Sequence, residues 1–108
     1  YELNETKRLI YELSDYKSGL FRPPYGFRTW QTISVAKRLG LKTITWSSFP
    51  YDYKKESEDI IRFVTSKFSP GQIICLHDGP VNRNQTILAL PEIIKSAKQQ
   101  GYRFDRLE

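Results

Sequence analysis

Leu20-Phe21-Arg22-Pro23-Pro24-Tyr25-Gly26 is the stretch from which the fold of this chain is read. Two prolines fix φ and remove two N–H donors, Pro24 holds Pro23 extended, and Gly26 lets the chain turn sharply. Leu20 to Arg22 therefore reads as a short strand running into a rigid loop. Arg22, the only charge in the stretch, sits where the strand ends, which suits orientation of a carboxylate or phosphate. Tyr25 has no ring on its nitrogen and keeps a free backbone donor. Proline-rich strand ends also serve as plain punctuation, so this stretch alone leaves both readings open.

Outward from this stretch, helix and strand patterns alternate. Leu3, Leu9, Ile10 and Leu13 share one helical face among Glu, Lys and Arg, and the spacing predicts a helix over 3–13. Thr29 can cap a second helix whose apolar positions Trp30, Ile33, Val35, Ala36 and Leu39 fill a broad face ending at Gly40, with Trp30 read as core. Lys42 to Trp46 has the β-branched and aromatic content of a strand. An aromatic loop, Ser47 to Tyr53, follows, and then a helix capped by Ser57 that carries Ile60, Ile61, Val64 and Phe68. Gln72 to Leu76 is a near-continuous apolar run, as expected of a strand covered on both faces, and it ends in His77-Asp78-Gly79-Pro80. Thr86 starts a last helix in which Pro91 sits in the first turn or makes a kink, and Tyr102 to Leu107 reads as a final strand.

Such alternation predicts an α/β fold with parallel strands and helical crossovers, in which active residues collect on loops after the strands' C-terminal ends. Three loops qualify, beginning at Arg22, Trp46 and Leu76. The length of 108 residues allows one domain but falls short of the roughly 200 residues of a full (β/α) barrel. Lys and Arg, although in excess to give a net charge of +5, are scattered among Asp and Glu, so no patch supports a nucleic-acid reading. No apolar run approaches a membrane span of about 20 residues. The single cysteine, Cys75, lies in an apolar run and excludes an internal disulfide and a multi-cysteine zinc site. Starting without Met and directly in a helical pattern, the chain reads as a piece of something longer.

His77 is the only histidine. Where an apolar strand meets solvent it can act as general acid or base near neutral pH, with a nearby carboxylate setting its tautomer, or it can merely bond a backbone carbonyl. Asp78, next to it, can be such a carboxylate or can simply cap a turn with Gly79. Asp52, between Tyr51 and Tyr53, either orients a catalytic group or stabilises its own loop, and the flanking aromatics either stack on a sugar ring or cover a barrel mouth.

Together the three loops point to a family. Arg22 to Gly26, the Trp46 to Tyr53 loop ending in Asp-Tyr, and Ile74-Cys75-Leu76-His77-Asp78 resemble the third, fourth and fifth motifs of the NodB-like polysaccharide deacetylases, carbohydrate esterase family four. The stretch from Ala89 to Phe104 looks like that family's last helix and strand. The resemblance implies the second half of a distorted (β/α) barrel, spanning residues 1–108, that belongs to a hydrolase removing acetyl groups from N-acetylated glycans of chitin-like or peptidoglycan type. It implies a divalent metal, commonly zinc, in the complete domain. It further implies that His77 protonates the leaving amine, that the Tyr25 N–H helps stabilise the oxyanion, and that Arg22 holds the catalytic-base aspartate. Leu76 would line the acetyl pocket with Trp46 as a wall and Tyr53 beside it, and the family's setting suggests an extracellular or cell-envelope location.

The departures matter equally. The family's first motif, with the base and a metal-binding aspartate, and its second, with two metal-binding histidines, have no counterpart here. A catalytic zinc generally takes three protein ligands, so the chain alone is expected to bind no catalytic metal and to hydrolyse no acetamide. Phe49 stands where many members place the aspartate that tunes the catalytic histidine, so either Asp52 takes that role or His77 is tuned less. Half a barrel leaves unpaired edges, and the chain is expected to self-associate or to need the missing half. A second reading is a carbohydrate-binding or interaction module that has lost the metal half.

Overall fold

The structure is a computed structural model that describes residues 1–79 and 81–107. Pro80, the end of the His77 loop in the sequence reading, lies outside the described residues. The chain divides into two compact units, Tyr1–Thr45 with Leu107, and Trp46–Arg106.

The first unit opens with α1, Glu2–Ser14, whose Arg8 is bracketed by Glu5 at 3.1 Å and Glu12 at 2.6 Å on successive turns. It ends at Asp15 in the left-handed region, φ 55°, with the Asp15 N–H returned to the Tyr11 carbonyl. β1, Leu20–Phe21, and β2, Lys42–Thr43, pair in parallel in the register Leu20 with Lys42 and Phe21 with Thr43. The crossover between them is α2, Trp30–Arg38, as a parallel pair requires. Thr29 caps α2 as its sequence predicts, its Oγ1 accepting the Thr32 N–H at 3.1 Å. At the other end the Lys7 ammonium donates to the Leu39 carbonyl at 2.7 Å, tying α1 to the last turn of α2.

Two expectations fail in this unit. The strands stop short of Arg22 and Trp46, because a ladder persists only while both partners run alongside, and here it closes with Ile44 N–H to Phe21 O at 2.8 Å. The broad apolar face of α2 is not a core face. Only Ala36 is buried, Val35 and Leu39 are half-buried, and Trp30 is 89% exposed, because a two-stranded ribbon covers one narrow stripe of a helix.

The second unit holds the better core. α3, Ser57–Thr65, and α4, Asn84–Gln99, pack through Ile60, Val64, Ala89 and Ile93, which stand four residues apart on each helix. Ile61, Phe63, Phe68, Ile74 and Leu76 pack around them. The apolar run 72–76 joins this core by one parallel bridge, Ser48 to Ile74, with the Cys75 N–H donating to Ser48 O at 2.9 Å. That is less than the strand its composition predicts: one bridge forms, and beside it the Ser47 and Ser48 N–H groups both fall on the Ile73 carbonyl at 3.0 and 3.1 Å instead of continuing a ladder. Ser57 is the first helical residue of α3 rather than its cap. The Gln85 side chain accepts the Ser57 N–H at 2.9 Å and so does the capping from α4. α4 begins two residues before Thr86, which puts Pro91 inside the helix and not in its first turn. Tyr102 to Leu107 forms no strand. Tyr102 turns instead onto Phe68, ring centres 5.6 Å apart, and donates its hydroxyl to the Phe68 carbonyl at 3.3 Å.

Ile93→Ala removes a buried side chain from the α3–α4 contact and should cost about 2–5 kcal/mol. Leu88→Ala, on the exposed side of the same helix, should stay within about 0.5 kcal/mol. Urea unfolding followed by circular dichroism separates the two, and equal losses would place the core elsewhere.

Candidate active site

The site is built on the loop that follows Trp46. Pro50 is buried, and Tyr51 adopts the left-handed conformation, φ 56°, before a single 3₁₀ turn over Asp52–Lys54. The reversal turns Asp52 inward, where it is 2% exposed. A carboxylate so placed needs donors, and it has three. Oδ2 accepts the His77 backbone N–H at 2.9 Å and the Thr86 hydroxyl at 2.8 Å, while Oδ1 lies 2.7 Å from His77 Nδ1. Burial alone would raise the Asp52 pKa. The bonds from His77 and Thr86 outweigh it and hold the carboxyl below its ordinary value of 3.8.

An ionised carboxylate only accepts, so Nδ1 of His77 carries the proton and Nε2 is the nitrogen left to exchange one. The His77 side chain is 33% exposed, within reach of a solute while its other face is packed. Phe49 and Tyr53 meet its ring edge-on at 5.3 and 5.2 Å, and Phe49 in turn packs on Trp46 at 5.3 Å and Tyr51 at 4.8 Å. Beside the pair a cleft of about 790 Å³ opens, lined by Ile74, Leu76, His77, Arg83, Thr86 and Leu90 among others.

Of the residues singled out in the sequence, His77, Asp52, Tyr53, Trp46 and Leu76 therefore share one unit. At the position of Phe49, Asp52 is the carboxylate that meets His77, and Phe49 itself contributes a ring edge. Asp78, next to His77 in sequence, is exposed and is not the carboxylate that holds it. Arg22 and Tyr25 lie in the first unit. Arg22 is exposed at the end of β1 and takes part in no ion pair among the described residues. Tyr25 has φ 54° in the turn Pro24–Gly26, its side chain 90% exposed. The Gly26 and Phe27 amides close that turn on the carbonyls of Pro23 and Pro24, and neither bond uses the Tyr25 N–H.

Thr86 is the functional residue that the sequence hides. A threonine in a first helical turn has no local mark that its hydroxyl serves a carboxylate 34 positions away. Among the described residues no three His, Cys, Asp or Glu side chains gather where they could hold a metal ion, so the residues present do not make the zinc site that the resemblance implies. No helix among them is long and apolar enough to cross a membrane.

No protein-family model matches the chain. A peptidoglycan-N-acetylglucosamine deacetylase of Bacillus cereus is 40% identical over 88 residues, covering 79% of this chain and 41% of the relative. Among solved structures, a family 4 carbohydrate esterase from Streptomyces lividans, in complex with acetate, superposes with a TM-score of 0.80 at 29% identity, over 93% of this chain and 50% of that one. A family-four pseudoenzyme from Bacillus anthracis superposes with a TM-score of 0.81 at 29% identity, over 94% of this chain and 35% of that one. The chain thus spans half or less of the length of each.

Asp52→Asn replaces an acceptor by a group that can donate to Nδ1. Nitrogen-15 shifts of the neutral His77 ring should report a move of the proton from Nδ1 to Nε2, and an unchanged Nδ1–H tautomer would mean that another acceptor holds the ring. Because the folded Asp52 pKa is depressed, the stability it contributes is complete above 3.8 and is lost as pH falls through the lower folded value. Acid titration of the two proteins should show that loss in the wild type and not in Asp52→Asn.

Proposed function

We propose that this chain, a relative of the NodB-like polysaccharide deacetylases of carbohydrate esterase family four, supplies the acid side of the active site of a deacetylase domain acting on N-acetylated glycan. The observation that carries the proposal is the 2.7 Å contact of His77 with the buried Asp52 at the mouth of a cleft.

Amide hydrolysis needs a proton on the departing nitrogen, since an amine leaves and an amide anion does not. With Nδ1–H held by Asp52, a protonated His77 carries its second proton on Nε2; once water has added to the acetamide carbonyl carbon, its own proton going to the base, donating the Nε2 proton to the nitrogen of the tetrahedral adduct lets the C–N bond break and leaves a free amine and acetate. Afterwards Nδ1–H is still bound to Asp52 and the ring returns to a defined tautomer. Thr86 keeps the carboxylate from rotating away. Leu76 and Trp46 give the acetyl methyl an apolar surface, and the Tyr53 ring offers a sugar face. Arg22 and the Tyr25 N–H, at the end of β1, are assigned to a base carboxylate and to the developing oxyanion. The base and the divalent metal with its ligands belong, in this proposal, to parts of the domain that this chain does not contain, and no step assigned to its own residues runs through them. The chain alone is accordingly inactive, and its exposed apolar residues pair with the absent half or with a second copy.

The likeness to a pseudoenzyme supports one alternative, a glycan-binding module that keeps the sugar-facing loops without the chemistry.

The test uses the longest form of the protein, upstream sequence included, with an N-acetylglucosamine oligomer and a divalent metal. Acetate release should fall by about 10²–10⁴ in His77→Ala. Release that survives this change would overturn the role of His77. Glycan binding without any release would select the binding module.

A further inference from the structure

Arg83 lies between the His77 loop and α4, and neither the fold nor the acid–carboxylate pair explains it. Its backbone serves α4, since its carbonyl accepts the Ile87 N–H at 3.0 Å. Its side chain does something else. Nε is buried without a hydrogen-bond partner, and Arg83 takes part in none of the ion pairs among the described residues. The guanidinium carbon lies 6.0 Å from the centre of the Tyr53 ring, the same ring that meets His77 at 5.2 Å. Arg83 also lines the cleft into which His77 opens.

A guanidinium is charged at every accessible pH, and a buried N–H without an acceptor costs about 1–3 kcal/mol. The Tyr53 ring, which the Lys54 ammonium also approaches at 5.6 Å, takes no hydrogen bond from the in-plane donors and leaves them unspent. The acceptor that matches Nε–H and the neighbouring Nη–H together is a carboxylate, which takes both bonds in parallel; a sugar hydroxyl takes one. The same Tyr53 ring neighbours both this fork and His77, and both line one cleft, so a glycan seated at His77 brings its next sugar toward Arg83. Asp78 in the same cleft opposes an incoming anion, but it is exposed and therefore screened, whereas Arg83 is partly buried.

We infer that Arg83 is a specificity-determining residue that binds a carboxylate carried by a sugar next to the one being deacetylated. The inference deepens the reading of His77 given above and rests on it.

The test is a titration of the nitrogen-15-labelled chain with N-acetylmuramic acid, which carries a carboxylate, and with N-acetylglucosamine, which does not. The Arg83 Nε–H resonance, assigned by its loss in Arg83→Lys, should shift and exchange more slowly with the acid sugar alone. The acid sugar should bind on the order of ten- to hundredfold tighter, as a charge-assisted bond implies. Arg83→Gln should erase that difference, and Arg83→Lys, which keeps the charge without the fork, should keep part of it. A silent Arg83 Nε–H, or an equal response to both sugars, overturns the inference whatever His77 does. So does a resonance already slow to exchange without sugar, which would mean that the protein supplies the partner itself. A response at Arg83 with the His77 ring silent to both sugars would instead sink the deacetylase reading and leave the carboxylate site standing.

Discussion

The buried carboxylate of Asp52 is the constraint on which the second unit turns. A charge 2% exposed is tolerated only when its lone pairs are filled, and the donors here come from two separate elements, the end of the 72–77 run and the first turn of α4. Each bond therefore does two things. It satisfies the charge, and it fixes where the aromatic loop sits relative to the strand end and the helix. Removing any one donor leaves a buried charge short of a partner, so the arrangement is stiff in the directions that matter for His77. The depressed Asp52 pKa is the titration signature of the same bonds.

Around this pair the loop supplies rings in place of further charge. Phe49 neighbours Trp46, Tyr51, Tyr53 and His77, so its ring is the hub of the aromatic cluster. One carboxylate, held by three bonds, faces the imidazole within a wall of rings. Water is kept from one side of the histidine, and a short ion-dipole contact is worth more in such surroundings than in solvent. Two cations stand at the edge of that cluster, Lys54 with its ammonium 5.6 Å and Arg83 with its guanidinium carbon 6.0 Å from the centre of the Tyr53 ring, and of the two Arg83 also lines the cleft beside His77.

The sequence made much of this legible and some of it not, for physical reasons. Helices were readable from capping and periodicity: Thr29 caps α2, and the i, i+4 spacing of Ile60 with Val64 became one side of the core. Strands were overstated. Their content predicts an extended backbone, but a strand exists only with a partner, and Lys42–Thr43 and the single bridge at Ile74 are what the pairing supports. Burial of the α2 face failed for a related reason, since amphipathic spacing says which residues would be covered and not what is there to cover them; Trp30 stands exposed. At the site, His77 and Asp52 were nameable from loop position, whereas Thr86, Gln85 and Arg83 were not. Their roles depend on contacts across 28 to 34 positions or on a neighbouring ring, which no local pattern encodes.

The two units differ in how much they hold of their own stability. Among the described residues only Pro23, Ala36 and Leu41 are buried in the first, and α1 buries none, whereas the second encloses the α3–α4 core and Asp52 itself. The His77–Asp52–Thr86 geometry therefore rests on contacts within Trp46–Arg106. Tyr25 is in the opposite position. A left-handed backbone at a residue with a Cβ costs about 1–2 kcal/mol and persists only where its surroundings insist on it. Here the insistence comes from two prolines and the closing bonds of one turn, in a unit with little buried surface to anchor them. The contacts that hold His77 and Asp52 are thus satisfied within one packed unit, and the turn at Tyr25 is the part whose geometry would gain most from further contacts.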